Sequence, residues 1–275
     1  VKYKLEFVKI GRDFKFAGVG FAGNMFIILN ALNSIPQDAK LYVDMEKNEC
    51  VCTEKNEVLF GTKNCWEYYF DQPKIYSDEH LITLNSLLPA TLNYHGSNNF
   101  LIPENFTGLQ QKFYNSFQLK SELKNLIDDY YNKNIKGKTT LGVQIRLTDM
   151  KYHHNVPPTE NYIQKINDIL ISHPEIQQIF LATDDRRVKK KLEDSLFLPI
   201  IWYEEMFRAD EKNHHNNPYD RYESNRELHR YILGKECIQE IFTLTKCDYL
   251  LKADISSISI VSCILSENIK KIYML

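Results

Sequence analysis

The chain has 275 residues, and its 34 Lys and Arg nearly balance 36 Asp and Glu, for a net charge of −2. That length allows one large domain or two of ordinary size, and a 43% apolar share is enough to bury a core. Without a basic excess the composition speaks against nucleic acid as partner, and the longest apolar run near the start, residues 25–29, is far too short to span a bilayer.

In chain order, the first half offers candidate strands at 4–8 and 40–44. Between them Gly20-Phe21-Ala22-Gly23-Asn24 leads into an apolar run over 25–32, which reads as a glycine-bearing loop feeding a helix. Backbone without a Cβ can approach a ligand closely, although an ordinary turn explains the same residues, and neither GxGxxG nor the P-loop pattern is present. Residues 110–133 read as one long helix, and 134–139 as a polar connector. The connector divides the chain into an α/β domain over 1–135 and a second over 136–275.

The second half alternates strands and helices. Residues 142–146 form an apolar strand that ends on a charged pair, Arg146 and Asp149. Strand ends of this kind face the ligand crevice in an open α/β sheet, and a guanidinium there suits a phosphate; a structural ion pair is the competing reading. A helix follows over 160–172 with Thr159 as its expected N-cap, then a strand over 178–183 ending in Asp184-Asp185. Those carboxylates could hold a metal, position a hydroxyl or cap the next helix, over 188–196. A third strand is expected at 199–203, a long helix from Asn225 to about Thr245, and a fourth strand at 248–253. Ser256-Ser257 opens a short helix whose first N–H groups make a natural anion site, and 271–275 reads as a last strand. Strands separated by helices of these lengths indicate βαβ units and a mostly parallel sheet. The tandem pairs His153-His154 and His214-His215 fall in loops; His154 borders the expected cleft and could move a proton near neutral pH.

The six cysteines show no CxxC pair and no zinc spacing, so reduced, structural thiols and a cytoplasmic location are expected, with peripheral contact at the inner face of a membrane compatible with that. No metal site is expected.

Residues 142–149, GVQIRLTD, resemble the His-x-Arg-Arg-x-Asp signature of GDP-fucose-dependent fucosyltransferases, in particular the core α-1,6 and nodulation group. IFLATDD, 179–185, is similar to that family's second motif. DYLLKADISSIS, 248–259, is similar to its third, and 20–24 to its amino-terminal Gly-Asn loop. Stretches at 64–73 and 157–159 resemble bacterial relatives.

The resemblance implies a GT-B-like fold of two facing Rossmann-like domains with mostly parallel sheets. It implies inverting, metal-independent transfer of fucose from GDP-fucose to a glycan hydroxyl, with the sugar nucleotide as substrate and no cofactor. Arg146 would bind the pyrophosphate, Ser256 and Ser257 the phosphate at the helix start, and Glu240 the guanine. Asp184 and Asp185 would line or brace the cleft, and Gly23 and Asn24 would approach the donor from the other domain. Gln144 stands where the family has His, and Leu147 where it has a second Arg. The base is open among His153, His154 and Glu160, with Asp149 counted in the catalytic group. The departures keep two alternatives alive: another nucleotide sugar on the same fold, or a binding protein without catalysis.

Overall fold

The structure, a computed structural model, describes residues 1–6, 20–46, 52–54, 58–74, 81–85, 106–148, 156–209, 224–252, 256–266 and 269–275. Beyond position 139 the chain builds a five-stranded parallel sheet. Its strands are β6 (Thr140–Ile145), β7 (Gln178–Thr183), β8 (Ile200–Ile201), β9 (Tyr249–Lys252) and β10 (Lys271–Met274), in the spatial order β10-β9-β6-β7-β8. The chain starts at the centre with β6 and steps outward to β7 and β8 through α4 (Thr159–Ser172) and α5 (Arg186–Ser195). It then crosses back through α6 (His229–Leu244) to β9, and through α7 (Ser257–Leu265) to β10. The direction of winding therefore reverses between β6 and β9, which is where such sheets bind ligands.

Both faces of this sheet are covered, so its strands read as continuous apolar runs rather than alternating ones. Val143, Leu181 and Leu251 pack against Tyr162 and Ile166 of α4 and Leu192 of α5. Phe180 and Leu250 pack against Leu244 of α6 and Cys263 of α7.

The amino-terminal part holds a parallel sheet in the order β2-β1-β4, from β1 (Lys2–Glu6), β2 (Lys40–Asp44) and β4 (Ile82–Asn85). Helix α1 (Phe21–Ser34) connects β1 to β2, and Lys112 caps its carboxyl end by donating to the carbonyls of Leu32 (3.1 Å) and Ile35 (2.6 Å). One apolar cluster joins this region to α6 and α7: Met25, Leu29 and Phe113 share a core with Ile238, Ile241, Val261 and Ile264.

Several boundaries differ from the sequence expectation. The single helix expected over 110–133 is two, α2 (Thr107–Ser116) and α3 (Ser121–Asn134). Between them β5 (Gln118–Leu119) pairs antiparallel with β3 (Phe70–Asp71), and Lys120 N–H donates to Tyr69 O at 2.8 Å. The break comes at Phe117, whose buried ring meets Trp66 edge to face at 5.0 Å; Trp66 in turn stacks on Phe70 at 4.1 Å. Aromatic packing from distant residues overrides a helical pattern that local spacing alone would continue. Helix α6 begins at His229 rather than Asn225, because Leu228 takes a left-handed conformation (φ 48°) that no helix continues through. Thr159 is the first residue of α4, and Pro158 occupies the cap position. The strand expected over 199–203 is confined to Ile200–Ile201.

Candidate active site

Arg146 leaves the carboxyl end of β6, the central strand, at the reversal point. The backbone that carries it is fixed by its neighbour strand. Asp184, directly after β7, accepts from the N–H groups of Leu147 (3.0 Å) and Thr148 (3.3 Å) and from the Thr148 hydroxyl (2.5 Å). The same carboxylate lies 4.0 Å from Arg146 Nε. At that distance it attracts the guanidinium without the short, bidentate contact that would commit the fork to it. Arg146 keeps 19% of its side chain exposed.

Across the reversal point, β9 ends at Lys252 and α7 starts at Ser257, with Ser256 as N-cap. The Ser256 carbonyl accepts the first helical bond from Ile260 (3.1 Å). Its hydroxyl is buried and meets no hydrogen-bond partner among the described residues. The N–H groups of the first turn have no partner within the helix and carry the positive end of its dipole. Helix α7 is pinned to β6: Ser259 donates to Gln144 Oε1 at 2.8 Å, both side chains being buried. Lys252 is also fully buried; continuing the β6–β9 register by one residue past Val143 and Leu251 sets it beside Gln144.

A second charged group lies behind Asp184. Arg208, buried, donates to Thr183 O (3.0 Å) and Tyr203 O (2.6 Å), and its Nη2 reaches Glu240 Oε1 at 3.2 Å. The Arg208 guanidinium also stacks over the Trp202 ring at 4.2 Å. Burial pushes the Glu240 carboxyl up to about 7, with Arg208 opposing the rise and the Glu236 and Asp184 charges adding to it.

The structure thus brings Arg146, Gln144, Asp184, Ser256, Ser257 and Glu240 to the carboxyl ends of β6, β7 and β9 or the helices beside them. Asp185 is placed differently. Its buried carboxylate caps α5, accepting from the Arg187 N–H (2.9 Å) and Nε (2.8 Å), which is the capping alternative the sequence left open. Glu160, in the first turn of α4, pairs with Lys191 at 3.0 Å. Backbone hydrogen bonding and Lys191 hold its carboxyl below the usual range. Gly23 and Asn24 stand in the first turn of α1, not in a loop: the helix begins at Phe21, with Asn24 N–H donating to Gly20 O at 3.1 Å. Asp149, His153, His154, His214 and His215 lie outside the described residues.

Sequence reasoning passed over Arg208, Thr148, Ser259 and Lys252. Arg208 sits in an irregular stretch with no pattern to mark it. Lys252 had a signal, a lysine closing an otherwise apolar strand. Among the described residues no group of three His, Cys, Asp or Glu could hold a metal ion.

No protein-family model matches the chain, and no curated protein does. Solved structures do. A NodZ α-1,6-fucosyltransferase crystal soaked with GDP-fucose is similar over 99% of this chain and 94% of that one, with a TM-score of 0.59 and 12% identity. Fucosyltransferase NodZ from Bradyrhizobium gives 0.57 and 12% over the same shares. A variant of Arabidopsis thaliana FUT1 in complex with GDP gives 0.51 and 11%, over 99% of this chain and 70% of that one. The chain has the GT-B-like α/β fold of the GDP-fucose-dependent fucosyltransferases.

Proposed function

We propose that the chain is a glycosyltransferase that moves fucose, with inversion, from GDP-fucose to a glycan hydroxyl in surface polysaccharide synthesis. The observation that carries this reading is Arg146, held by the Asp184-braced loop at the reversal point of the sheet, across from a helix start with serine at its N-cap position. The NodZ structure soaked with GDP-fucose, similar over nearly the whole chain, supports the choice of donor.

In the proposed reaction the acceptor oxygen attacks the anomeric carbon, and the bond from that carbon to the β-phosphate oxygen breaks. The proton of the acceptor hydroxyl passes to a base, and GDP departs with the bonding electron pair. Arg146 and the first N–H groups of α7 offset the charge that grows on the diphosphate. Glu240, paired to Arg208, is assigned to the guanine edge. His154 is assigned as base and Asp149 to the catalytic group; Glu160 is the weaker candidate, since Lys191 already occupies its carboxylate. Residues 1–135 are assigned to the acceptor side, with Gly23 and Asn24 nearest the donor, and 136–275 to the nucleotide. The chemistry as written uses no metal, so EDTA should leave its rate unchanged. Work at the cytoplasmic face of a membrane would fit a surface-glycan acceptor.

Calorimetric titration with GDP, UDP and CMP, followed by product analysis with GDP-fucose and mixed glycan acceptors, tests the reading. GDP should bind in preference to the other two, and a fucosylated product should form. A preference for UDP or CMP removes the donor assignment; GDP binding without transfer to any acceptor removes the catalytic one.

A further inference from the structure

A cavity of about 900 Å³ lies at the amino ends of β6 and β9, the opposite end of those strands from Arg146. Thr139 and Asp248, which directly precede β6 and β9, are part of its lining. Arg146 is at the far end of six-residue β6, about 20 Å away at the usual rise of a strand. The cavity is thus separate from the proposed donor site.

Its chemistry is also opposite. Helices α2, α6 and α7 all end here, with their last residues or C-caps, Phe117, Thr245 and Leu265, in the wall. Helix carboxyl ends present carbonyl oxygens and partial negative charge, which disfavours a diphosphate or any other multiply charged anion. A cation is disfavoured as well, because Lys124, Lys138 and Lys246 stand at the rim. Charge complementarity therefore selects a neutral ligand.

The wall shows what kind. Its apolar part mixes aliphatic side chains with rings, of which Tyr114 and Tyr131 are half-buried while Phe117 and Phe242 are buried. Beside Tyr131 is a fixed set of hydrogen-bonding groups: Asp128 accepts from Lys124 (2.5 Å) and Lys246 (3.1 Å), and the Lys246 ammonium lies 5.1 Å from the Tyr131 ring centre. Partial burial works against the Asp128 charge, but the two lysines outweigh it and hold the carboxyl below its usual range. About a third of the Asp128 and Lys246 side chains stays exposed, so both retain hydrogen-bonding capacity toward a ligand. Aromatic surface next to oriented acceptors and donors matches a sugar ring, which has C–H faces and a rim of hydroxyls. A purely apolar chain would leave the Asp–Lys set unanswered.

We propose that this cavity is a second carbohydrate site, which takes a neutral oligosaccharide independently of the nucleotide. The inference stands whether or not the reversal point of the sheet binds a sugar nucleotide.

The test is ligand-observed NMR and calorimetry on the full chain with neutral tetrasaccharides of glucose, galactose and N-acetylglucosamine, with and without saturating GDP. At least one should bind, and GDP should not displace it. Tyr131→Ala and Asp128→Asn should each weaken that binding tenfold or more at unchanged melting temperature, while Arg146→Ala leaves it intact. Lys246→Gln serves where Tyr131→Ala lowers the melting temperature. No binding by any tetrasaccharide overturns the proposal, as does binding untouched by the cavity variants or lost in Arg146→Ala. Binding of dodecyl phosphate that the cavity variants abolish, with no saccharide bound, overturns it in favour of an amphiphile site.

Discussion

Asp184 holds Thr148 of the neighbouring strand's loop twice, through its N–H at 3.3 Å and its hydroxyl at 2.5 Å. With the Leu147 N–H on its other oxygen, this one carboxylate defines where Arg146 starts. Replacing Asp184 by Ala leaves two N–H donors without their acceptor, a cost of about 1–3 kcal/mol each where water cannot substitute. GDP affinity should fall about tenfold or more in this variant, since a mispositioned guanidinium loses most of its electrostatic advantage. Calorimetry checks it; wild-type GDP affinity would mean the loop needs no brace.

Arg146→Ala should lower turnover by roughly two to three orders of magnitude, equivalent to about 2.7–4 kcal/mol of transition-state stabilisation. Arg146→Lys should recover only part, because an ammonium cannot make the two-pronged contact. Both should fold, as the side chain is partly exposed. Near-normal turnover in Arg146→Ala would remove the central assignment.

Helix α6 touches Tyr69 through Gly234. A Cβ added there would stand 2.1 Å from Tyr69 Oη and 2.6 Å from Cζ. The ring cannot yield, since it is fully buried, stacks on Tyr231 at 5.5 Å and donates to Tyr231 O at 2.9 Å. Gly234→Ala should destabilise by about 1–3 kcal/mol. A thermal melt at or above the wild-type midpoint would show that the ring moves more easily than its packing suggests.

Glu240 predicts a pH dependence opposite to that of a common surface carboxylate. Its folded value is raised to about 7 from an ordinary 4.5, chiefly by burial. Between those values the unfolded chain has released the proton while the folded chain keeps it. The group's stabilising contribution is therefore full below about 4.5 and is lost as pH rises to about 7. Glu240→Gln cannot titrate, so wild-type stability relative to this variant should decline from about pH 5 to pH 7 in urea melts. A constant difference across that window would mean that Arg208 keeps the carboxyl ionised throughout.

Ser259→Ala should cost about 1–3 kcal/mol by stripping buried Gln144 Oε1 of its donor. Urea unfolding measures this directly, and a loss under a few tenths of a kcal/mol would mean that another group answers the oxygen.

Much of the second half was legible in the sequence. Gln178–Thr183 and the start of α7 at Ser257 were read correctly, as was the parallel sheet, because strands buried on both faces are apolar along their whole length and end at charged or capping residues. The local pattern also marked Arg146 and Ser256 as strand-end and helix-start groups. It could not say which of Asp184 and Asp185 braces the loop and which caps α5, since adjacent carboxylates differ only in the direction a strand end turns them. The division of α2 from α3 was likewise decided by Trp66 and Phe70, some fifty residues away, and the Arg208–Glu240 pair by a loop folding back on α6. Periodicity and end signals are local, so the sequence by itself determined most elements of the second half and their order. Which charged groups meet depends on how strands are neighboured and where buried rings find room, and only the tertiary structure decided that.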